Sequence, residues 1–418
     1  MTMLLVFSVA LLLAVLVSAV AERSVLSTAV VFLAAGVVAG KAGFGWINVA
    51  PTDPLVREAS AFALYSILLT EGMRVGIREL RECWELPGRA LIVGFPLSVA
   101  ATAVLAHWLV GLSWTASTLF GAILAPTDPV FAAAIVRRDE IPYRLRHLLN
   151  VESGLNDGLA LPIVTALLAT SLGRGVAEQA VRLAAGVAIG VVVPWLAIRL
   201  EKSRVFAADP EHRPLLAVAV GLVVLALTRL LGANEFLAAF AAGVTVASAA
   251  PALESEFRVL GENVAGLLKF AAILIFGALL SWPLLSSLTA AEYLLAALAL
   301  LLVRPVTLWL SLLGSGLPKR EFAVAAWFGP KGFASVVYAV MVLESGIPQG
   351  SVVARIAAVV IAASMVAHSS TDVVLARWLV RKNAGEVDDA PGCVPNPKPP
   401  RGSPRTAETF FGPVDDEA

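Results

Sequence analysis

The sequence has few charged residues and few cysteines, and its net charge is zero. Only 15% of its 418 residues are charged, and 31 acidic residues balance 31 basic ones. Soluble domains usually carry about a quarter charged residues, so this composition argues against an ordinary soluble enzyme. A neutral chain without a basic stripe also offers no surface for nucleic acid. The two cysteines lie far apart, which excludes a disulfide-rich scaffold and a cysteine metal site.

Apolar residues make up 58% of the chain, and the mean hydropathy is +0.84. One soluble core cannot bury so many apolar residues, so we expect a lipid bilayer as the surroundings. Runs of about 20 apolar residues predict an all-α polytopic membrane protein with 13 transmembrane helices. The predicted spans are 3–20, 25–40, 55–73, 88–109, 115–136, 145–171, 177–198, 214–231, 234–250, 262–281, 290–314, 321–343 and 352–376.

Lys and Arg are distributed unevenly between the loops. Sixteen of them fall in one set of alternate loops and six in the opposite set. The richer side is expected to be cytoplasmic, which places the N-terminus outside and the C-terminus inside. We assign residues 1–382 to the transmembrane domain. Residues 383–418, rich in proline and acidic at their end, are predicted to be a disordered cytoplasmic tail.

The fifth span carries a predicted helix break at Ala125-Pro126-Thr127-Asp128-Pro129. Two prolines three residues apart remove backbone donors and clash with the preceding turn. In lipid, the freed backbone groups must find partners inside the protein. Asp128 is placed to compensate the positive end of a half-helix, either as a structural cap or as part of an ion site.

A second break is predicted at Phe328-Gly329-Pro330-Lys331-Gly332 in the twelfth span, where Lys331 can compensate a negative half-helix end. The two breaks are seven spans apart. Interrupted helices at matching positions of two halves indicate an inverted-repeat transporter. We place repeat 1 at about 1–171, a linker helix at about 177–198 and repeat 2 at about 214–376.

The sixth span contains Asn150-Val151-Glu152-Ser153-Gly154-Leu155-Asn156-Asp157-Gly158. Ser153 and Asp157 are four residues apart, as are Glu152 and Asn156, so each pair shares a helix face. Oxygen ligands of this kind suit Na⁺-like cations. No His or Cys joins the cluster, which argues against a transition metal.

A structural alternative remains open for Asp157. It could be a buried acid paired with Arg304 or Lys331, the charged residues of later spans, without a role in transport.

In these motifs the sequence resembles the NhaP-type sodium/proton antiporters of the monovalent cation:proton antiporter superfamily. The resemblance covers about residues 1–380 and rests on four motifs taken in order. They are Thr127-Asp128-Pro129, Glu152-Ser153-Gly154-Leu155-Asn156-Asp157, Arg304-Pro305 and Gly329-Pro330-Lys331-Gly332. It implies the NhaA-like antiporter fold, in which inverted repeats form a dimerisation domain and a six-helix core around two unwound, crossing helices.

The resemblance also implies roles for individual residues. Asp157 would alternately hold a proton or a cation, while Ser153 and the Thr127 carbonyl would add ligands. Glu71 matches an acid that contributes to the site in some relatives; alternatively it is an interfacial acid near the end of its span. Asn156 stands where electrogenic relatives have a second aspartate, which suggests electroneutral exchange.

Two cations complete the implied site. Arg304 would pair with Glu152 and hold the sixth span in place. Lys331 stands where relatives often have arginine. An ammonium cannot make the bidentate contacts of a guanidinium, and its pKa falls more readily on burial, so Lys331 is either a compensating charge only or itself a titrating group.

The function that we expect is exchange of Na⁺ (or Li⁺) for H⁺ by a homodimer in the plasma (inner) membrane, for pH and sodium homeostasis, with no enzyme activity and no cofactor. The alternatives are K⁺/H⁺ exchange by the same fold and, from another class, a cation channel or membrane sensor. A channel would favour symmetric rings of charges or carbonyls, whereas these charges lie beside asymmetric helix breaks.

Overall fold

The structure is a computed structural model. The structure describes residues 2–21, 27–51, 53–74, 83–128, 135, 138, 140–173, 175–203, 209 and 212–383. Within these ranges the regular structure is helical, without a strand. The predicted tail lies outside the described residues, apart from its first residue, Asn383, which ends the last helix.

Most helices correspond to the apolar runs of the sequence. In chain order they are α1 (Thr2–Ala21), α2 (Thr28–Ala39), α3 (Pro54–Arg74), α4 (Glu85–Val110), α5 (Trp114–Leu124), α6 (Tyr143–Ser171), α7 (Val176–Glu201), α8 (Arg213–Leu231), α9 (Glu235–Ala249), α10 (Pro251–Leu279), α11 (Trp282–Ser286), α12 (Ala290–Ser311), α13 (Lys319–Trp327), α14 (Phe333–Glu344) and α15 (Gly350–Asn383). Each of the thirteen predicted runs overlaps a helix, and the run 321–343 is divided between α13 and α14.

Five described segments are long and apolar enough to cross a membrane individually: α4, α7, α12, residues Leu260–Leu279 of α10 and residues Gly350–Arg381 of α15. Other apolar helices, among them α2, α5 and α9, are shorter than 18 residues. The number of membrane crossings therefore stays a prediction.

Both predicted breaks coincide with the end of a helix. In the fifth span α5 ends at Leu124, and residues 125–128 are not helical. Residues 129–134, in the second half of that span, lie outside the described ranges. In the twelfth span, residues 328–332 separate α13 from α14. Pro126 and Pro330 lack the N–H that helix continuation needs, which explains why the helices end there.

Two further prolines widen their helices without ending them. Residues Ala90–Gly94 of α4 and Ala299–Val303 of α12 form π-helical turns. Pro96 and Pro305 follow these turns by two residues, so each ring would clash with a carbonyl four residues earlier, inside the turn. A wider turn relieves that clash. These helices cover the fourth and eleventh spans, which are also seven spans apart.

Helices α3 and α9 approach each other so closely that only glycine fits at the contact. A Cβ on Gly72 would collide with the carbonyl oxygen of Phe240, and a Cβ on Gly243 would collide with that of Leu69. Small residues at such crossings allow helix backbones to pack tightly where water provides no driving force. This contact places the C-terminal half of α3, which carries Glu71, in the interior of the bundle.

We expect Gly243→Ala to lower stability by about 1–3 kcal/mol, because the added methyl group overpacks the α3–α9 contact. The thermal midpoint of the purified protein in detergent measures this loss. Gly266→Ala on α10 is the matched control, since no atom lies within 4 Å of its added Cβ. Equal midpoints for the two variants would contradict the packing argument.

Candidate functional site

The two non-helical segments are joined by a backbone hydrogen bond. The N–H of Asp128 donates to the carbonyl oxygen of Pro330 at 2.9 Å. The N–H of Lys331 donates to the Ser364 hydroxyl at 2.8 Å, on α15. These two N–H groups, which the breaks release from helical bonding, thus find partners inside the protein, as a hydrocarbon environment requires.

Helix α6 supplies a buried polar group next to the first break. The Thr127 N–H donates to Asn156 Oδ1 at 3.3 Å, and Asn156 Nδ2 donates to Thr127 Oγ1 at 2.8 Å. The hydroxyls of Thr127 and Ser153 are 3.0 Å apart and share a hydrogen bond. All three side chains are buried. The structure therefore brings Thr127, Ser153 and Asn156 into one network.

Two carboxyl groups face each other beside this network. Asp157 of α6 and Glu71 of α3 are both buried and lie close enough for a side-chain hydrogen bond. Glu71 Oε2 is buried without a hydrogen-bond partner among the described residues. The Tyr338 hydroxyl donates to the backbone carbonyl of Asp157 at 2.8 Å, which ties α14 to this turn of α6. An unsatisfied carboxylate oxygen here can accept a proton or a hard cation.

Asp128 forms a buried ion pair that local sequence patterns do not indicate. Lys269 Nζ of α10 lies 3.1 Å from Asp128 Oδ1 and 2.9 Å from Oδ2. The same ammonium interacts electrostatically with Glu71 and Asp157. A lysine inside an apolar run was the available signal, but sequence spacing does not show which acid it meets.

Glu152 and Arg304 form the pair that the family resemblance implies. Arg304 Nη1 and Nη2 lie 2.7 and 3.0 Å from the two Glu152 oxygens, a bidentate arrangement in the buried interior. Arg304 Nε donates to the carbonyl oxygen of Ala325 at 3.3 Å. Arg304 thus joins α6, α12 and α13 through one planar group.

Lys331 lies with Glu152 and Arg304 rather than with Glu71 and Asp157. Its side chain is buried, and its charge interacts with Arg304 and Glu152. The three residues line a cavity of about 20 Å³, which has room for one water molecule. Among the described residues, Asp157 pairs with neither Arg304 nor Lys331. Its role in transport stays a prediction.

The glycines of the second break make room for two charged side chains, Asp128 and Arg304. A Cβ on Gly332 would collide with the side chain of Asp128, and a Cβ on Gly329 would collide with that of Arg304. The Gly-Pro-Lys-Gly motif therefore combines a proline that ends the helix with glycines that let side chains pass close to the backbone.

The sequence matches a known protein family over most of its length. The family model described as "Sodium/hydrogen exchanger, transmembrane" matches residues 9–378. This range contains both helix breaks and the buried charged residues around them, namely Glu71, Asp128, Glu152, Asp157, Lys269, Arg304 and Lys331.

Curated relatives are similar to the chain at low identity. It is 26% identical over 389 residues to "K(+)/H(+) antiporter NhaP" of Alkalimonas amylolytica, covering 90% of this chain and 66% of the relative. It is 26% identical over 375 residues to "K(+)/H(+) antiporter NhaP2" of Shewanella oneidensis, covering 87% and 64%. The chain thus spans slightly less than two thirds of these relatives. It is also 26% identical over 339 residues to "Na(+)/H(+) antiporter 2" of Zygosaccharomyces rouxii, covering 73% and 41%.

Among solved structures, the fold is similar to that of the sodium proton antiporter MjNhaP1 from Methanocaldococcus jannaschii. The TM-score is 0.73 at 20% sequence identity, covering 91% of this chain and all of the other. At this identity the match shows the fold, and it agrees with the predicted all-helical antiporter fold.

We expect Arg304→Met to destabilise the protein by about 3–5 kcal/mol, because it leaves the Glu152 carboxylate buried without its partner. The thermal midpoint in detergent should recover in the double variant Glu152→Gln/Arg304→Met, which removes both charges. Glu178→Gln breaks the exposed pair between Glu178 and Arg182 and should cost at most about 1 kcal/mol. A loss for Arg304→Met no larger than for this control would show that the buried pair is not needed.

Proposed function

The chain belongs to the transmembrane sodium/hydrogen exchanger family, and on that premise we propose that it exchanges Na⁺ (or Li⁺) for H⁺ by alternating access. The observation that carries the proposal is the buried Glu71–Asp157 carboxyl pair, with one unpartnered oxygen, beside two helix breaks. This pair has the chemistry to hold a proton in one step and a hard cation in the next.

In the proposed cycle, Asp157 is the carboxylate for which proton and cation compete. Ser153, the Thr127 carbonyl and Glu71 supply further oxygen ligands when the cation is bound. Exchange then requires only that the empty, charged site cross poorly between its inward and outward states. Asn156 fixes the first break through its two hydrogen bonds to Thr127.

We propose an electroneutral 1:1 stoichiometry. Asn156 stands beside Asp157 where a second aspartate would add a titrating group. Lys331 lies with Glu152 and Arg304, so its charge is outside the immediate surroundings of the carboxyl pair. We propose that Asp128 and Lys331 compensate the partial charges of the helix ends at the two breaks.

The proposed architecture has 13 transmembrane helices in two inverted repeats, with the unwound segments of the fifth and twelfth spans crossing at the site. The hydrogen bond between Asp128 and Pro330 supports the crossing. Corresponding π-helical turns in α4 and α12 support the repeat. We further propose a homodimer in the plasma (inner) membrane, with an external N-terminus and a cytoplasmic C-terminus.

Potassium is a second candidate for the transported cation. Two of the relatives are K⁺/H⁺ antiporters by name, and the oxygen ligands of the site suit either ion. The exchange rates with Na⁺ and with K⁺ in proteoliposomes decide between the two.

We expect Asp157→Asn to abolish cation-driven proton movement in proteoliposomes while the protein stays folded, because an amide can neither release a proton nor carry the negative charge that holds the cation. Dequenching of a pH-sensitive dye after addition of Na⁺, Li⁺ or K⁺ measures the exchange. Glu178→Gln, which neutralises an exposed acid on α7, is the control and should behave as the unchanged protein.

The same vesicles test the stoichiometry and the class of protein. With the membrane voltage clamped at zero, 1:1 exchange should proceed at its unclamped rate, whereas a channel would pass current without an opposing proton gradient. Exchange that persists in Asp157→Asn, or cation flux without proton movement in the opposite direction, would overturn the proposal.

A further inference from the structure

Lys269 places a fixed positive charge at the proposed cation site. It is the only charged residue between positions 263 and 281, and its side chain is buried. Its ammonium bonds both oxygens of Asp128 and interacts electrostatically with Glu71 and Asp157. Three carboxyl groups therefore surround one ammonium.

The lysine comes from outside the helix breaks. Helix α10 packs mainly against α2 and α3, and Gly36 and Gly277 allow α2 and α10 to touch backbone to backbone. Asp128 is held instead by the second break, through its N–H bond to Pro330. Two separate groups of contacts thus fix the two ends of the Lys269–Asp128 pair, so the ammonium has a defined position beside the carboxyl pair.

We propose that Lys269 is a tethered cation that sets the affinity of the site for the transported cation. This inference rests on the proposed function, because it takes Glu71 and Asp157 as cation ligands. The ammonium repels a bound cation, and it stabilises the empty carboxylates after the cation leaves. Asp128 screens this charge and keeps the repulsion moderate. Lys269 therefore favours release of the cation without being a ligand itself.

A purely structural ion pair predicts a different result. If the pair only held α10 in place, removing either partner would disturb the site, and both single variants would bind cations more weakly. A tethered cation predicts effects of opposite sign. Without Lys269 the site gains an unscreened carboxylate, whereas without the Asp128 charge the ammonium is unscreened.

The test is equilibrium binding of Na⁺ to the purified protein at alkaline pH, where protons compete least. We expect Lys269→Met to lower the Kd about tenfold, and Asp128→Asn to raise it about tenfold, the order expected for one charge near a partly buried site. The double variant Lys269→Met/Asp128→Asn should return to within about threefold of the unchanged protein, because the net charge is restored. Lys269→Arg, which keeps the charge, should also bind nearly as the unchanged protein.

A folded Lys269→Met protein whose Kd is unchanged or higher would overturn the proposal. If Lys269→Met does not fold, the other two variants still decide. The proposal requires the double variant to bind Na⁺ more tightly than Asp128→Asn does. Failure of the proposed function gives a different pattern. In that case the unchanged protein shows no exchange in proteoliposomes, whatever the four Kd values are.

Discussion

The structure depends on one constraint, which is that backbone groups inside a hydrocarbon layer must find partners within the protein. Two helices end near the middle of their spans, at residues 125–128 and 328–332. The Asp128 N–H of the first break donates to the Pro330 carbonyl of the second, so each break provides a hydrogen-bond partner for the other. This bond places the two breaks side by side, with the Asp128 side chain against Gly332. The position of the site is thus a consequence of backbone hydrogen bonding.

Charge pairing then divides the buried acids near the breaks into two kinds. Asp128 and Glu152 each have a buried cation within 3.1 Å, namely Lys269 and Arg304. Glu71 and Asp157 face each other instead. Two carboxylates at hydrogen-bonding distance cannot both stay ionised without a cation between them or nearby. The nearest buried cation to this pair is the Lys269 ammonium, which already bonds both oxygens of Asp128, so Glu71 and Asp157 share part of one positive charge instead of each having a partner.

The sequence predicted the helix breaks because proline chemistry is local, and it predicted the shared face of Ser153 and Asp157 because helix periodicity is local. The Lys269–Asp128 pair spans 141 positions, and no local pattern indicates which helices are neighbours. The position of Lys331 next to Arg304 was not predicted for the same reason. Pro96 and Pro305 were visible signals, but a proline in an apolar helix is compatible with a kink as well as with a π-helical turn. Local sequence patterns therefore predict the helices and their breaks, whereas the charge pairs become visible only in the three-dimensional fold.

The lysine at position 331 has a steric consequence as well as an electrical one. Its ammonium leaves a cavity of about 20 Å³ beside Glu152 and Arg304, bordered by both π-helical turns. A guanidinium is larger than an ammonium, so arginine at this position would leave less of that space free. Since Arg304 already bonds both oxygens of Glu152, the second cation is not needed to neutralise this acid. Lysine therefore leaves room for a water molecule next to the ion pair.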